Sequence, residues 1–318
     1  MTIMGLGPPD TFAQSGVNPI FDSIPPPQIS YIDPDGNTWP LTDLTLVNGY
    51  ICTGITGVSG LPVSFSSIPL LQGGALSQLY TPQPGAVGLG LFFQSQGNIN
   101  AYMKLLDSFA YAFYNVRNNV PVPGKLVIQR QDGTSRFRNV FCVGGQDIPT
   151  DEGVDWSTYT LSLQADDPFW YDLNPNVITY GLAGATPIGI LPILPIQFGS
   201  STVFGSDIID NEGGAEAYPE WLVTGPGLAT VQNQTTGRQF SFTTALADLQ
   251  HIQVNTQPGQ QSAIDVDANV SVWSQIVQST PRDLWALARG QNEIFLTMGG
   301  AGPDSSIRLT WTRRWLRA

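Results

Sequence analysis

Gln164-Ala165-Asp166-Asp167-Pro168-Phe169-Trp170-Tyr171-Asp172 separates two stretches of different character. Ahead of it, Trp156 to Gln164 alternates polar and apolar residues with the period of a half-buried strand. Asp167-Pro168 ends that strand, because proline removes a ladder donor and forces the preceding residue into an extended conformation. Beyond it the chain is apolar and rich in Pro and Gly, with no Lys or Arg before Arg238. Three consecutive aromatics at such a border need a place to bury their rings. Asp167, Pro168, Phe169, Trp170 and Tyr171 are therefore candidate hinge and interface residues that fix one domain against another. The plainer reading is an ordinary turn with core aromatics.

Working back from this border, strand and turn signals fill 29–172. Ile29 to Ile32 and Trp39 to Leu41 flank the tight turn Asp33-Pro-Asp-Gly36. Tyr50 to Ile55, Pro62 to Phe65 and Gly88 to Gln94 read as strands, and Gly73 to Val87 as a Gly/Pro/Gln loop. Tyr102, Leu105, Leu106, Phe109, Tyr111, Phe113 and Val116 recur at helical spacing after an Asn98 or Asn100 cap. That helix is expected to lie across a sheet or barrel mouth. Lys125 to Arg130 and Arg136 to Val143 around Asp132-Gly133 form a hairpin. Arg130, Arg136 and Arg138 sit together on it, and a solvated face is expected there. Cys52 and Cys142 fit no metal spacing and are expected as buried free thiols in strands.

Working forward, residues 173–206 read as a connector, with Ile188 to Ile196 too apolar to be left exposed. From Asp207 to the end, short strands separated by Gly/Pro turns repeat at even spacing. Pro281 to Leu287 reads as a helical turn, and Ile307 to Arg317 as one continuous strand. Arg313, Arg314, Trp315 and Arg317 make that strand basic and aromatic, a solvated edge or a candidate docking strand for an acidic partner. Residues 1–28, without a basic or a strongly apolar segment, read as an N-terminal arm and not as a signal peptide. The fold class is thus mainly β: a barrel or sandwich with one helix over 29–172, then a jelly-roll sandwich over 207–318.

The net charge is −12, and residues 1–103 hold no Lys or Arg. Tight nucleic-acid binding needs clustered cations, so that class is disfavoured. No apolar run spans a bilayer, so no membrane insertion is expected. His251 is the single histidine, predicted on a strand without triad or metal partners. Asp265 and Asp267 share a strand face, but a turn beside them is the simpler reading. No phosphate- or dinucleotide-binding glycine pattern occurs. No catalytic, cofactor or metal residue is assigned, and no enzyme is expected.

Taken together, these motifs resemble a known family. Asp166 to Tyr171 closing a mixed β domain is similar to the end of the N-terminal domain of siphophage distal tail proteins. Asn211-Glu-Gly-Gly214, Ala217 to Pro226, Asn233 to Gly237, Asn255 to Pro258 and Gly290 to Ile294 resemble, in order and spacing, their galectin-like C-terminal domain. The resemblance runs from Ile29 to the end, leaving out 1–28 and the loop at 67–87. It implies a tail-tube-like first domain forming a hexameric ring that continues the tube of the major tail protein. It also implies an outer domain anchoring fibres or receptor-binding proteins, a tail-associated protein docked below, and a location at the virion tail tip after synthesis in the host cytoplasm. DNA would pass through the lumen without specific binding. The alternative is a carbohydrate-binding adhesin using Trp221, Trp273, Trp285, Trp311 or Trp315 as an aromatic platform.

Overall fold

The computed structural model describes residues 27–43, 45–95, 97–181, 202–279 and 284–318, and only the backbone of 202–204. It is mainly β, with antiparallel sheets and one α-helix. Two separate cores of buried side chains lie on either side of the stretch at 166–172.

The first core is wrapped by a ten-stranded sheet. Its path runs Thr38–Pro40, Gln28–Ile32, Gly124–Gln129, Ser135–Gly144, Trp156–Ala165, Gly85–Gln94 and Tyr50–Thr56. The edges come together at Leu41, whose N–H donates to Ile29 and whose carbonyl accepts from Cys52, so the sheet curls towards a barrel. Alternation decides what points inward: Val87, Leu89, Leu91 and Phe93 are buried, while their neighbours are not. The helix Ile99–Ala112 lies over this core. Its Asn98 cap accepts from the Ala101 N–H, satisfying one of the free donors of the first turn. Phe109 meets Phe93 edge-on at 4.7 Å, and Phe113 stacks on Tyr31 at 4.0 Å. Cys52 and Cys142 are free and in strands, but only half-buried, and desolvation raises both thiol pKa values.

Gly73 to Val87 is not a loop. Ala75–Pro82 is a strand paired with Val63–Pro69 in a two-stranded hairpin that belongs to no larger sheet. Within 63–82 every residue except Thr81 is exposed. Because neither face meets a core, the alternation that reveals the other strands is absent here.

The second core lies between a six-stranded and a five-stranded sheet. The first is ordered Asn176–Gly181, Ser306–Trp311, Glu220–Thr224, His251–Asn255, Ser262–Asp265 and Val270–Ser271. The second is ordered Thr202–Asn211, Gly290–Gly299, Leu228–Asn233, Arg238–Phe242 and Ile276–Gln278. Trp221, Val223, Val254 and Leu309 on one sheet face Val231, Phe240, Ile294 and Leu296 on the other, a β-sandwich. The connector expected at 173–206 is shortened at both ends, because 176–181 and 202–211 are sandwich strands. Ile188 to Ile196 and most of the arm at 1–28 lie outside the described residues. The helical turn expected at 281–287 is also corrected over its described part. Leu287 bridges Ala217 in extended conformation, and Trp285 packs edge-on against Trp221 at 5.4 Å.

Candidate functional site: the junction of the two halves

The candidate hinge and the candidate docking strand are brought together by the fold. Trp170–Asp172 is a short strand on the first domain's sheet, and Arg314–Trp315 pairs with it, Trp170 opposite Trp315 and Tyr171 opposite Arg314. The last strand is therefore not continuous. Ser306–Trp311 belongs to the sandwich, Thr312 and Arg313 leave it, and Arg314–Trp315 joins the other domain. That step shifts the alternation, so Arg314 is buried where an exposed basic strand was expected.

Arg314 is held by both halves of the molecule. Its guanidinium lies 3.9 Å over the Phe169 ring, 5.0 Å from that of Tyr218 and 3.4 Å from the Asp167 carboxylate. Its Nη1 donates to the Glu216 carbonyl at 3.2 Å. Its own carbonyl accepts from the N–H groups of Gly214 and Ala215 at 2.7 and 3.2 Å. A Cβ at Gly213 would stand 2.8 Å from that carbonyl, and one at Gly214 would stand 2.9 Å from Leu316. The Asn211-Glu-Gly-Gly214 motif is thus needed for close approach of two backbones. The acidic partner of this strand is Asp167 of its own chain. Asp167 also accepts from the Phe169 N–H and the Tyr171 hydroxyl. Burial and the neighbouring Asp167 push the Tyr171 pKa up, so the phenol keeps its proton and donates it to that carboxylate.

Two arginines lie beneath, and the expectation of a solvated hairpin face fails for both. Arg138 is fully buried and Arg136 nearly so. Arg138 stacks 4.4 Å over Trp170 and donates to the Pro168 carbonyl. Arg136 stacks 3.9 Å over Trp315 and donates to the Arg317 carbonyl at 2.8 Å. Desolvation lowers the Arg138 pKa to about 10, which still leaves it charged at neutral pH. A buried guanidinium costs several kcal/mol unless it is compensated. Here carbonyls and indole faces offset part of that cost, the latter contributing roughly 2 kcal/mol each when desolvated. The Nε of each arginine has no hydrogen-bond partner among the described residues. Asp172 accepts from Trp315 Nε1 at 2.7 Å and lies 3.8 Å from Arg313, which also meets Glu212 at 3.0 Å. Arg317 is exposed, as is Leu316 beside it.

Arg136, Arg138, Tyr218 and Glu212 are junction residues that the sequence reading did not assign. One signal was present for the arginines: they share strand parity with Val140, which is buried, so they face the same way.

Elsewhere the chemistry is structural. Asp265 caps the turn through the Asp267 and Ala268 N–H groups and accepts from Gln250, which together hold its pKa down. Asp267 accepts from the His251 N–H at 2.9 Å and lies 3.0 Å from its ring. Among the described residues, no three His, Cys, Asp or Glu side chains are placed to hold a metal ion, and no helix is long and apolar enough to cross a membrane. Trp221, Trp285 and Trp311 are buried, while Trp273 is exposed and Trp315 half-buried.

No family model matches the chain, and no curated protein matches it. Solved structures do. "SPP1 Dit (gp 19.1) Protein, a Paradigm of Hub Adsorption Apparatus in Gram-positive Infecting Phages" superposes with a TM-score of 0.60 at 11% identity, over 91% of this chain and 99% of that one. Chains of the phage P2 baseplate in its activated conformation, with Ca and with Sr, give a TM-score of 0.52 at 11% identity, over 90% of this chain and 98% of theirs. The fold of this chain, over nearly its whole length, is therefore one shared with phage hub and baseplate proteins.

Proposed function

We propose that this protein is a structural subunit of a siphophage tail hub. The first domain forms a ring, hexameric by the family resemblance, that continues the tail tube. The second domain faces outward and anchors fibres or receptor-binding proteins, and a tail-associated protein docks on the ring's far side. The observation that carries this reading is the hairpin Val63–Pro82, set in a fold common to hub proteins. Between Asp43 and Lys104 the chain has no charged side chain, and Phe65, Ile68, Leu71, Leu76, Leu79 and Tyr80 are all exposed on the hairpin. An apolar strand pair without guarding charges is a surface for another copy of the chain. A head-to-tail contact of that kind closes into a ring when its rotation closes. The acidity suits a lumen that DNA traverses without adhering, since like charges repel phosphate. The subunit has no catalytic task in this reading.

The experiment is native mass spectrometry with negative-stain imaging over a range of concentrations. A closed ring is expected, and a strict monomer at high concentration with the hairpin intact overturns the reading. The adhesin alternative requires exposed rings. With three of its five tryptophans buried and Trp315 stacked on Arg136, it depends mainly on Trp273.

A further inference from the structure

The hairpin and the junction share one residue. The feet of the hairpin are Gly57-Val58 before its first strand and Gly85 after its second. Arg138 reaches both feet. Its Nη1 donates to the Gly57 carbonyl at 3.5 Å, and a Cβ at Gly85 would stand 2.9 Å from that same nitrogen. Its other side touches the junction, with Nη2 on the Pro168 carbonyl and the guanidinium plane over Trp170. Gly57 itself admits no other residue: its φ is +80°, and a Cβ there would lie 2.0 Å from the Ala86 carbonyl oxygen. Val58 is tied from the other direction, because its carbonyl accepts from the Ala318 N–H at 3.1 Å. Val58, Trp315 and Ala318 pack on the first core together.

We infer that Arg138 and the strap at 314–318 couple the second domain to the hairpin, so that the angle between the domains sets the hairpin's pose. The contacts form an unbroken series. Gly214, Ala215 and Glu216 of the sandwich hold Arg314. Arg314–Trp315 pairs with Trp170-Tyr171, Trp170 lies under Arg138, and Arg138 and Ala318 hold the feet. Every link is a hydrogen bond or a stacked ring, and the central three residues, Arg138, Trp170 and Arg314, are buried, where close packing transmits displacement. The hairpin's exposed leucines touch no core, so its feet alone determine where it points. The purpose of the coupling rests on the hub reading, in which the outer domain and the ring contact belong to one subunit. Its existence does not.

Two variants of the full chain test this at concentrations where the protein is monomeric, read by hydrogen exchange. Arg314→Gln alters a side chain that touches neither hairpin foot. Ala318→Pro removes the donor to Val58 and leaves the Arg314 and Trp315 side chains in place. The Gln83 amide, which donates to Pro62 across the hairpin base at 2.9 Å, is the reporter. Both variants are expected to speed its exchange about two- to thirtyfold, the range of coupling such networks carry. Exchange within Trp156–Ala165 is expected to stay unchanged. If the amides at 169–173 lose protection in Arg314→Gln while Gln83 keeps its wild-type rate, the coupling is overturned. It is equally overturned if Ala318→Pro leaves the hairpin base unaltered. Ring assembly is scored separately, so a protein that assembles without the coupling, or couples without assembling, distinguishes the two readings.

Discussion

The junction and the hairpin invert the usual placement of side chains, in opposite senses. At the junction, Arg136, Arg138 and Arg314 are buried under indole and phenyl rings. On the hairpin, Leu71 is 108% exposed and Phe65 62% exposed, in a stretch of sequence without a charged residue between Asp43 and Lys104. Each arrangement is costly for an isolated chain, and each makes sense once its surroundings are considered. A buried arginine is tolerated where carbonyls and rings replace its water, and this makes the contact specific: an ill-fitting domain angle leaves a cation unpaired. An exposed leucine is tolerated where another molecule covers it. The first inversion fixes the contact between the two cores, and the second offers the surface that the proposed ring would cover.

The largest effect should come from removing the ring on which Arg138 stacks. Trp170→Ala is expected to lower stability by about 3–5 kcal/mol, the range for truncating a buried large aromatic. It also leaves Arg138 without the face that stabilises it. Urea denaturation followed by circular dichroism measures the loss, and a change under about 1 kcal/mol would mean that the junction is not a locked contact.

A smaller effect separates the two cores. Desolvation raises the pKa of Tyr31 and of Tyr50 to about 12 from the ordinary 10.0. The folded state then holds these protons more tightly than the unfolded chain. Their contribution is complete below pH 10 and is lost as pH rises through about 12. The first domain should therefore weaken by on the order of 2 kcal/mol per tyrosine between pH 10 and 12. Among the described residues, Tyr180 is the one tyrosine packed on the sandwich core, and burial, then its hydrogen bond to Asp207, push that phenol pKa up as well. Denaturation resolved by domain, using exchange at Leu91 and at Val231, checks the difference. Equal alkaline losses in the two halves would remove it.

The smallest effect on the monomer belongs to the hairpin. Leu71→Ser with Leu79→Ser should change monomer stability by less than about 0.5 kcal/mol, as for exposed positions away from any core. The same pair should abolish self-association in sedimentation. A double variant that destabilises the monomer strongly would show that the hairpin packs on its own chain, and the comparison would collapse.

Much of the fold is readable locally. Val87, Leu89, Leu91 and Phe93 announce their strand by parity, Asn98 announces the helix, and Asp132-Gly133 announces its hairpin. The aromatic run at 169–171 marks the border because three rings need shelter. The failures have a common origin. The strand Ala75–Pro82 has no buried face, so no alternation reports it. The arginines on Ser135–Gly144 share parity with Val140, yet charge alone suggested solvent, since their compensating rings come from remote segments.

What the sequence determined by itself is many of the strands that bury one face and the location of the break between halves, because strand periodicity and proline geometry act over a few residues. What it left open is which surfaces meet. Trp315 reaches Asp172 across 143 positions, and Arg314 reaches Asp167 across 147. Neither pair leaves a local trace: an arginine bound for solvent and one bound for a ring have the same neighbours in the chain. Only when the two cores close does the last strand change sheets at Thr312-Arg313 and carry Arg314 inside. Tertiary structure decided that step, because burial of a charge depends on partners that a local pattern does not contain.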